Sequence, residues 1–444
     1  MHDAEGIARL EARAQQAMKL ALDAGAADVW VSADRSRDVE MEMRDGTLEK
    51  VQEATSRGLS LRLWVEGRYG AHSTTDLRPE RLSSFVQDAV ALTKALEPDQ
   101  DRSIPDPALF EGRPEVDLEL FDPRVAELGA EQRVAWLEAM QGEVAGTDKL
   151  ISATSSVSTG QGQSVAVSSN GFSGARETSS VWIGTYMTLQ DEGDKRPEGG
   201  YWAGGRHVGD LPKATSVATN AVTWASERVG AAKGATAKTT MVVHPRAAGR
   251  IISGLLGPAN GNSVHQGRSL WAGKLGEKVI SPALEIVDDP LVVRGLASRH
   301  YDGEGIAAKR LPLVHGGALH NLYLSTTYAR KLDMAPTTGS SSNRVITPGR
   351  RDLEALIGAT KRGYLVTGWL GGNMDRTTGD FSYGVRGFAI ENGTRAGAVS
   401  EMNITGNVLA LFGRLAEVGS DPWPWGSLRA PTLVFEGVQF SGVA

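Results

Sequence analysis

The hydrophobic period of this chain changes early, and that change limits the fold more than any other feature. Ile7, Leu10, Ala14, Ala17 and Ala21 recur at three- and four-residue spacing, which predicts an amphipathic helix stopped by Gly25. Further on the spacing is two. Val39, Met41 and Met43 alternate with Glu40, Glu42 and Arg44 up to Asp45-Gly46, a dipeptide that favours φ > 0 in a tight hairpin turn. Leu59, Leu61, Leu63 and Val65 then alternate with Ser60, Arg62 and Trp64 and end at Glu66-Gly67. A helix feeding an antiparallel meander with one buried face points to α+β.

The remainder keeps to that class. Arg78 to Leu96 reads as a helix, and residues 97–122 are rich in proline and acid without periodicity, a boundary strap. One helix is expected over 123–145, with Val125, Leu128, Val134, Leu137 and Met140 on its apolar side. Residues 149–190 have strand composition with a turn at Asn170-Gly171; 191–205 read as a loop and 209–231 as another helix. Val242-Val243 looks like a short strand before Pro245, which suits a first helical position. The last 80 residues are again strand-rich, with Asn392-Gly393 at a turn. The expected division is an N-terminal α+β domain over 1–100, a strap over 101–122, a middle α+β domain over 123–233, and a sheet-rich C-terminal domain over 234–444.

Composition removes several functions. The chain of 444 residues has no cysteine, so disulfides, cysteine zinc sites and thiol nucleophiles are excluded. Its opening, MHDAEG, is charged and lacks the apolar core of a signal peptide, and no stretch is long and apolar enough to span a membrane. A cytoplasmic setting is expected. Residues 1–122 hold 25 acids against 15 bases, and the rest 28 against 32, with no basic stripe, so a nucleic-acid partner is disfavoured. Such asymmetry suits a solvated acidic face or the steering of a complementary subunit.

A search for chemistry finds little. The histidines are His2, His72, His207, His244, His265, His300, His315 and His320. The closest pair, His315 and His320, is separated by a spacing that puts the two on different faces of a helix or strand, and Gly316-Gly317 lies between them. Gly171-Phe172-Ser173-Gly174 lacks the spacing of a nucleophile elbow. Gly303-Glu304-Gly305 begins like a dinucleotide loop but lacks the third glycine and carries an acid where pyrophosphate would sit. Asp288-Asp289 reads as an ordinary loop-end pair. The exception is 371–407, where Asn373, Asp375, Thr378, Gly379 and Asp380 crowd turn formers ahead of Phe381, Tyr383 and Val385. Within it, Asp380 is expected to accept several backbone N–H bonds.

This segment, fitting NxDxxTGDFSxGVxGFxIENG, together with Tyr301-Asp302-Gly303-Glu304-Gly305 and Ala329-Arg330-Lys331-Leu332, resembles the TldD/PmbA (TldE) family, once described as modulators of DNA gyrase. The resemblance implies an N-terminal α+β region, a middle domain and a C-terminal domain on a large curved antiparallel sheet. It also implies a cytoplasmic heterodimer of one zinc-bearing and one zinc-free subunit that cuts unfolded or modified peptides. Asp302, Glu304, Gly305, Asn373, Asp375, Thr378, Gly379 and Asp380 are then candidates for a chamber, substrate or partner loop.

The zinc-bearing type carries HExxxH on a helix and a late cysteine. Here the helix after Pro245 reads RAAGRIISGLLGPANG, with Ser253, Gly254 and Pro258 about where the two histidines and the glutamate would stand and Trp425 near the place of the cysteine. Such residues form no ligand set for zinc. The resemblance therefore implies the PmbA/TldE type: no catalytic residue, no cofactor in this chain, a TldD-like zinc-bearing partner, a peptide substrate for the pair, and self-dimerisation as an open option. The alternatives are a free-standing regulator that binds a peptide, a toxin–antitoxin component or gyrase, and a metal-independent factor in peptide natural-product maturation.

Overall fold

The structure, a computed structural model, describes residues 4–443; His2 lies outside them. The first helix, α1 (Ala4–Asp23), is followed by the meander β1 (Asp28–Arg44), β2 (Thr47–Val65) and β3 (Arg68–Thr74) and by α2 (Pro79–Lys94). Both turns adopt the left-handed conformation that their sequences favour: Asp45 and Gly46 have φ of 48° and 78°, and Glu66 and Gly67 have 51° and 74°.

The helix expected over 123–145 is two helices, α3 (Pro123–Glu127) and α4 (Ala130–Val144). Leu128 and Gly129 between them are extended, with ψ of 115° and 166°. Arg133 Nη1 donates to the Leu128 carbonyl at 2.6 Å, satisfying a group that the break frees. The hairpin β4 (Leu150–Ser168) and β5 (Ser173–Leu189) turns at Asn170-Gly171 as expected.

Residues 191–205 are not all loop, because β6 (Glu198–Gly205) pairs with β5. Glycine density hid this strand. Trp182 opposes Gly204 and Trp202 opposes Gly184, and a Cβ on either glycine would fall within 2.1 Å or 2.0 Å of the facing indole. Each glycine is thus a cross-strand seat for a tryptophan ring, not a chain break. Helix α5 (Ala214–Ser226) is shorter than the 209–231 expected.

These strands form one sheet in the order β3-β2-β1-β4-β5-β6. β1 pairs with β4 from Trp30↔Ser168 to Arg44↔Thr154, so the sheet continues across the 101–122 strap. Half of it packs Val31, Leu61 and Leu63 against α1 and α2. The other half packs Met41, Val157 and Met187 against α4 and α5.

The C-terminal part begins with β7 (Ala232–Lys233), β8 (Ala237–Val243), α6 (Pro245–Leu256) and α7 (Gly261–His265). Next come β9 (Ile286–Asp289), β10 (Leu311–His315), β11 (Ala318–Leu319), α8 (Thr326–Lys331), β12 (Asn343–Ile346) and α9 (Leu353–Ala359). It ends with β13 (Arg362–Trp369), β14 (Asn373–Met374), β15 (Asp380–Glu391), β16 (Thr394–Asn407), α10 (Val408–Gly413), β17 (Leu415–Val418), β18 (Leu428–Arg429) and β19 (Leu433–Ser441). A smaller sheet runs β11-β10-β9-β12-β18.

The expected curved antiparallel sheet is closed and mixed. β15 pairs with β13, β13 with β8, β8 with β19, β19 with β16, and β16 with β15, completing a ring. β8 and β13 are parallel, which the long connection between them permits. Register shifts at Val385/Gly387 and Phe388/Ile390 mark bulges, which supply the bend. The molecule is α+β. No helix among the described residues is long and apolar enough to cross a membrane.

Candidate functional site: the α6 face and its cleft

Helix α6 organises the site. Pro245 occupies its first turn, and the His244 Nδ1 accepts the Arg246 N–H at 3.1 Å, capping it. Ala247, Ala248, Ile251, Ile252, Leu255 and Leu256 are buried, which fixes this face on the core and turns Arg246 and Arg250 the other way. Ser253, in the last turn, is exposed and Gly254 half-buried. Pro258 lies past the helix end and is buried, so the three do not share one helical face.

The space in front of Gly254 is filled. A Cβ there would stand 3.2 Å from Met374 Sδ and 3.6 Å from the Tyr383 hydroxyl. Met374 belongs to the Asn373–Asp380 turn, so this turn covers the end of α6. Arg250 Nη2 donates to the Gly372 carbonyl at 2.6 Å, its guanidinium 4.8 Å from the Tyr383 ring centre, and Leu270 N donates to the Arg376 carbonyl at 2.9 Å.

Within the turn, Asp375 accepts the Thr377 N–H at 2.7 Å. Asp380 was expected to accept backbone N–H groups; its exposed carboxylate instead takes side chains, Thr378 Oγ1 at 2.9 Å and Asn407 Nδ2 at 3.0 Å. These bonds, Asn407 first, hold its pKa below the ordinary carboxylate value. Gly379, at φ 85°, closes the turn.

The 301–305 loop sits elsewhere. Buried Asp302 accepts the N–H groups of Glu304, Ile306 and Gly339 at 2.9, 3.1 and 3.1 Å and the Thr338 hydroxyl at 2.9 Å. Glu304 accepts the Thr326 N–H and hydroxyl at 2.8 and 2.9 Å, and burial pushes its carboxyl up. Gly305, at φ 79°, lets Phe172 and Trp30 approach where a Cβ would meet them at 2.6 and 2.8 Å. Arg62 Nη1 donates to the Gly303 carbonyl at 3.0 Å. The loop therefore fastens the C-terminal part to β1 and β2. Among the described residues no hydrogen bond or ion pair joins it to the 373–380 turn.

Two other motifs also resolve as structure. Asp288 is buried in β9 and takes the Ser342 N–H and Tyr323 hydroxyl, so it is not a loop-end acid. His315 and His320 do come together, their ring centres 6.0 Å apart, because β10 turns back on itself at Gly316-Gly317. Helix and strand periodicity could not show that.

Sequence reasoning missed the cleft beside α6. About 800 Å³ in volume, it lies between β5, β6 and α5 on one side and α6, β13 and β15 on the other. Six of the ten tryptophans line it: Trp182, Trp202, Trp224, Trp369, Trp423 and Trp425. Only Trp423-Pro-Trp425 are near each other in the chain, so no local signal reveals the set. Trp425 Nε1 donates to the Tyr201 hydroxyl at 2.8 Å. Arg246 lies 3.8 Å over Trp224, bonded to Glu227 at 2.8 Å and the Thr367 carbonyl at 3.0 Å.

Zinc does not fit these residues. Structural and catalytic zinc takes thiolate, imidazole or carboxylate ligands. The α6 end offers a hydroxyl, a glycine and a proline, and an indole stands where the sequence resemblance places a thiolate. Among the described residues no three His, Cys, Asp or Glu side chains gather as a metal site.

The fold defines a three-part α+β chain with a tryptophan- and arginine-lined cleft. Residues 31–93, 123–228 and 236–442 match, in order, PmbA/TldA metallopeptidase domain 1, the central domain and the C-terminal domain. The chain belongs to the PmbA/TldD metallopeptidase family. It is 25% identical to the metalloprotease PmbA of Escherichia coli O157:H7, over 93% of this chain and 92% of that one. A crystal structure from Bacteroides thetaiotaomicron, described as a candidate modulator of DNA gyrase, superposes with a TM-score of 0.95 and 35% identity, covering 98% and 99% of the two chains. TldE from Thermococcus kodakarensis shares the fold at a TM-score of 0.85 and 20% identity, covering 97% and 100%.

Proposed function

We propose that this chain is the metal-free, non-catalytic subunit of a heterodimeric zinc peptidase acting on unfolded or modified peptides, with zinc carried by a TldD-like partner. One observation carries the reading. At the end of α6, where the resemblance places two histidines and a glutamate, Ser253, Gly254 and Pro258 supply no imidazole or carboxylate, and Met374 and Tyr383 pack over Gly254, 3.2 and 3.6 Å from where its Cβ would stand. The chain then shapes the substrate chamber and supports the partner, in the cytoplasm. The 373–380 turn, lying over α6, is the segment assigned to that chamber, whereas Asp302, Glu304 and Gly305 serve it only by holding the C-terminal part in place.

The test uses the purified full chain, alone and with a TldD-like chain from the same organism. Alone it should hold well under one zinc per chain and leave unfolded casein uncut. Mixed at micromolar concentration, the two should co-elute, since an obligate interface buries more than about 2,000 Å². Stoichiometric zinc with chelator-sensitive cleavage by the single chain, or persistent separate elution, would refute the reading.

A further inference from the structure

The cleft beside α6 holds more positive charge than its own acids neutralise. Arg228, Arg246 and Arg386 converge there from the turn after α5, from α6 and from β15. The Arg246 side chain is only 9% exposed, yet its Nη1 has no partner, and Nε of Arg386 is likewise buried and unpaired. Each therefore keeps a buried donor that the protein does not satisfy, which is costly. The arrangement is built: a Cβ on Gly368, opposite Arg386 across β13 and β15, would come within 2.5 Å of that Nε. Burial, then mutual repulsion among the three, depresses Arg228 to about 10. Four acids line the cleft, Asp191, Glu198, Glu227 and Glu401, against six cations, Lys195, Arg196, Arg228, Arg246, Arg250 and Arg386. Glu227 bonds Arg246, Glu198 accepts the Tyr186 hydroxyl, and Asp191 accepts the Gly230 and Glu192 N–H groups.

The walls say which anion fits. Trp202 and Tyr186 line the cleft 44% and 37% exposed, offering aromatic faces next to the guanidinium donors. Glu198 and Glu227 keep negative charge close, which penalises a dianion such as phosphate more than a monoanion. A carboxylate matches the planar guanidinium fork, and an apolar group beside it matches the rings.

We propose that this cleft binds the C-terminal carboxylate of a peptide, with Arg228, Arg246 and Arg386 holding the carboxylate and Trp202 and Tyr186 the terminal side chain. The choice of a peptide rests on the peptide-processing reading above; the guanidinium cluster does not. The chain thereby gains a substrate-anchoring role of its own on the helix that lacks zinc ligands.

The experiment titrates the full chain, without partner, with acetyl-Ala-Phe as the free acid, with the same peptide as its C-terminal amide, and with inorganic phosphate, following tryptophan fluorescence and heat. The free acid should bind at least about tenfold more tightly than the amide, and more tightly than phosphate. Arg386→Gln should abolish that preference while the melting temperature holds or rises, because one of three repelling charges is gone. Arg228→Lys, which keeps the charge and loses the fork, should reduce the preference at unchanged fold. Equal binding of acid and amide, tighter binding of phosphate, or a preference that survives both substitutions would overturn the proposal. Because no partner is present, peptide binding without pairing, or pairing without peptide binding, separates this inference from the subunit reading.

Discussion

Asp302 and Asp380 carry the same side chain but contribute very unequally to stability. Asp302 is buried and accepts three backbone N–H groups and a hydroxyl, whereas Asp380 is exposed and bonds two side chains. Asp302→Ala should cost about 2–4 kcal/mol, since each donor left dry costs about 1–3 kcal/mol and partial rehydration recovers some of it. Asp380→Ala should cost less than about 0.5 kcal/mol, as exposed substitutions do. Urea midpoints of the two variants test this directly; equal losses would show that the turn before β15 bears load that its exposure conceals. The sequence displayed both aspartates in turn-forming company, and nothing local distinguished them. Burial did, together with Thr338 and Gly339, which bond Asp302 from 36 and 37 positions away in the chain.

At the scale of elements, α6 depends on one titratable cap. Burial, then the charges of Arg246 and Arg395, hold the His244 pKa down to about 3 from an ordinary 6.5. The folded state thus takes up this proton less readily than the unfolded state. Its contribution is intact above pH 6.5 and is lost as pH falls toward 3, at roughly 1.4 kcal/mol per unit. His244→Asn keeps a capping acceptor and removes the titration. Denaturation midpoints between pH 7 and 5 should therefore fall less steeply in the variant than in the native chain; parallel slopes would contradict the assignment. Pro245 and the apolar spacing made this helix legible in advance, as Asp45-Gly46 did the first hairpin. β6 was not legible, because its glycines read as a loop until Trp182 and Trp202 were seen lying on them.

Across the whole molecule, the pairing of β1 with β4 joins segments that the acidic strap separates. Met41 and Met43 on β1 are buried against residues of α4, β4 and β5. A fragment ending at residue 122 would expose that face and a long strand edge, and should lack a cooperative melting transition. A sharp, reversible transition in that fragment would show that the first meander is an independent unit. By itself the sequence determined what depends on neighbours in the chain: helices from period, hairpins from left-handed dipeptides, the absence of thiols, and a long motif that carried the family. Only the tertiary structure decided that the curved sheet closes into a ring, that the 301–305 loop is a fastening, and that six scattered tryptophans and three arginines share one cleft. Those outcomes depend on contacts between residues tens to hundreds of positions apart, where no local propensity acts and packing alone selects the partner.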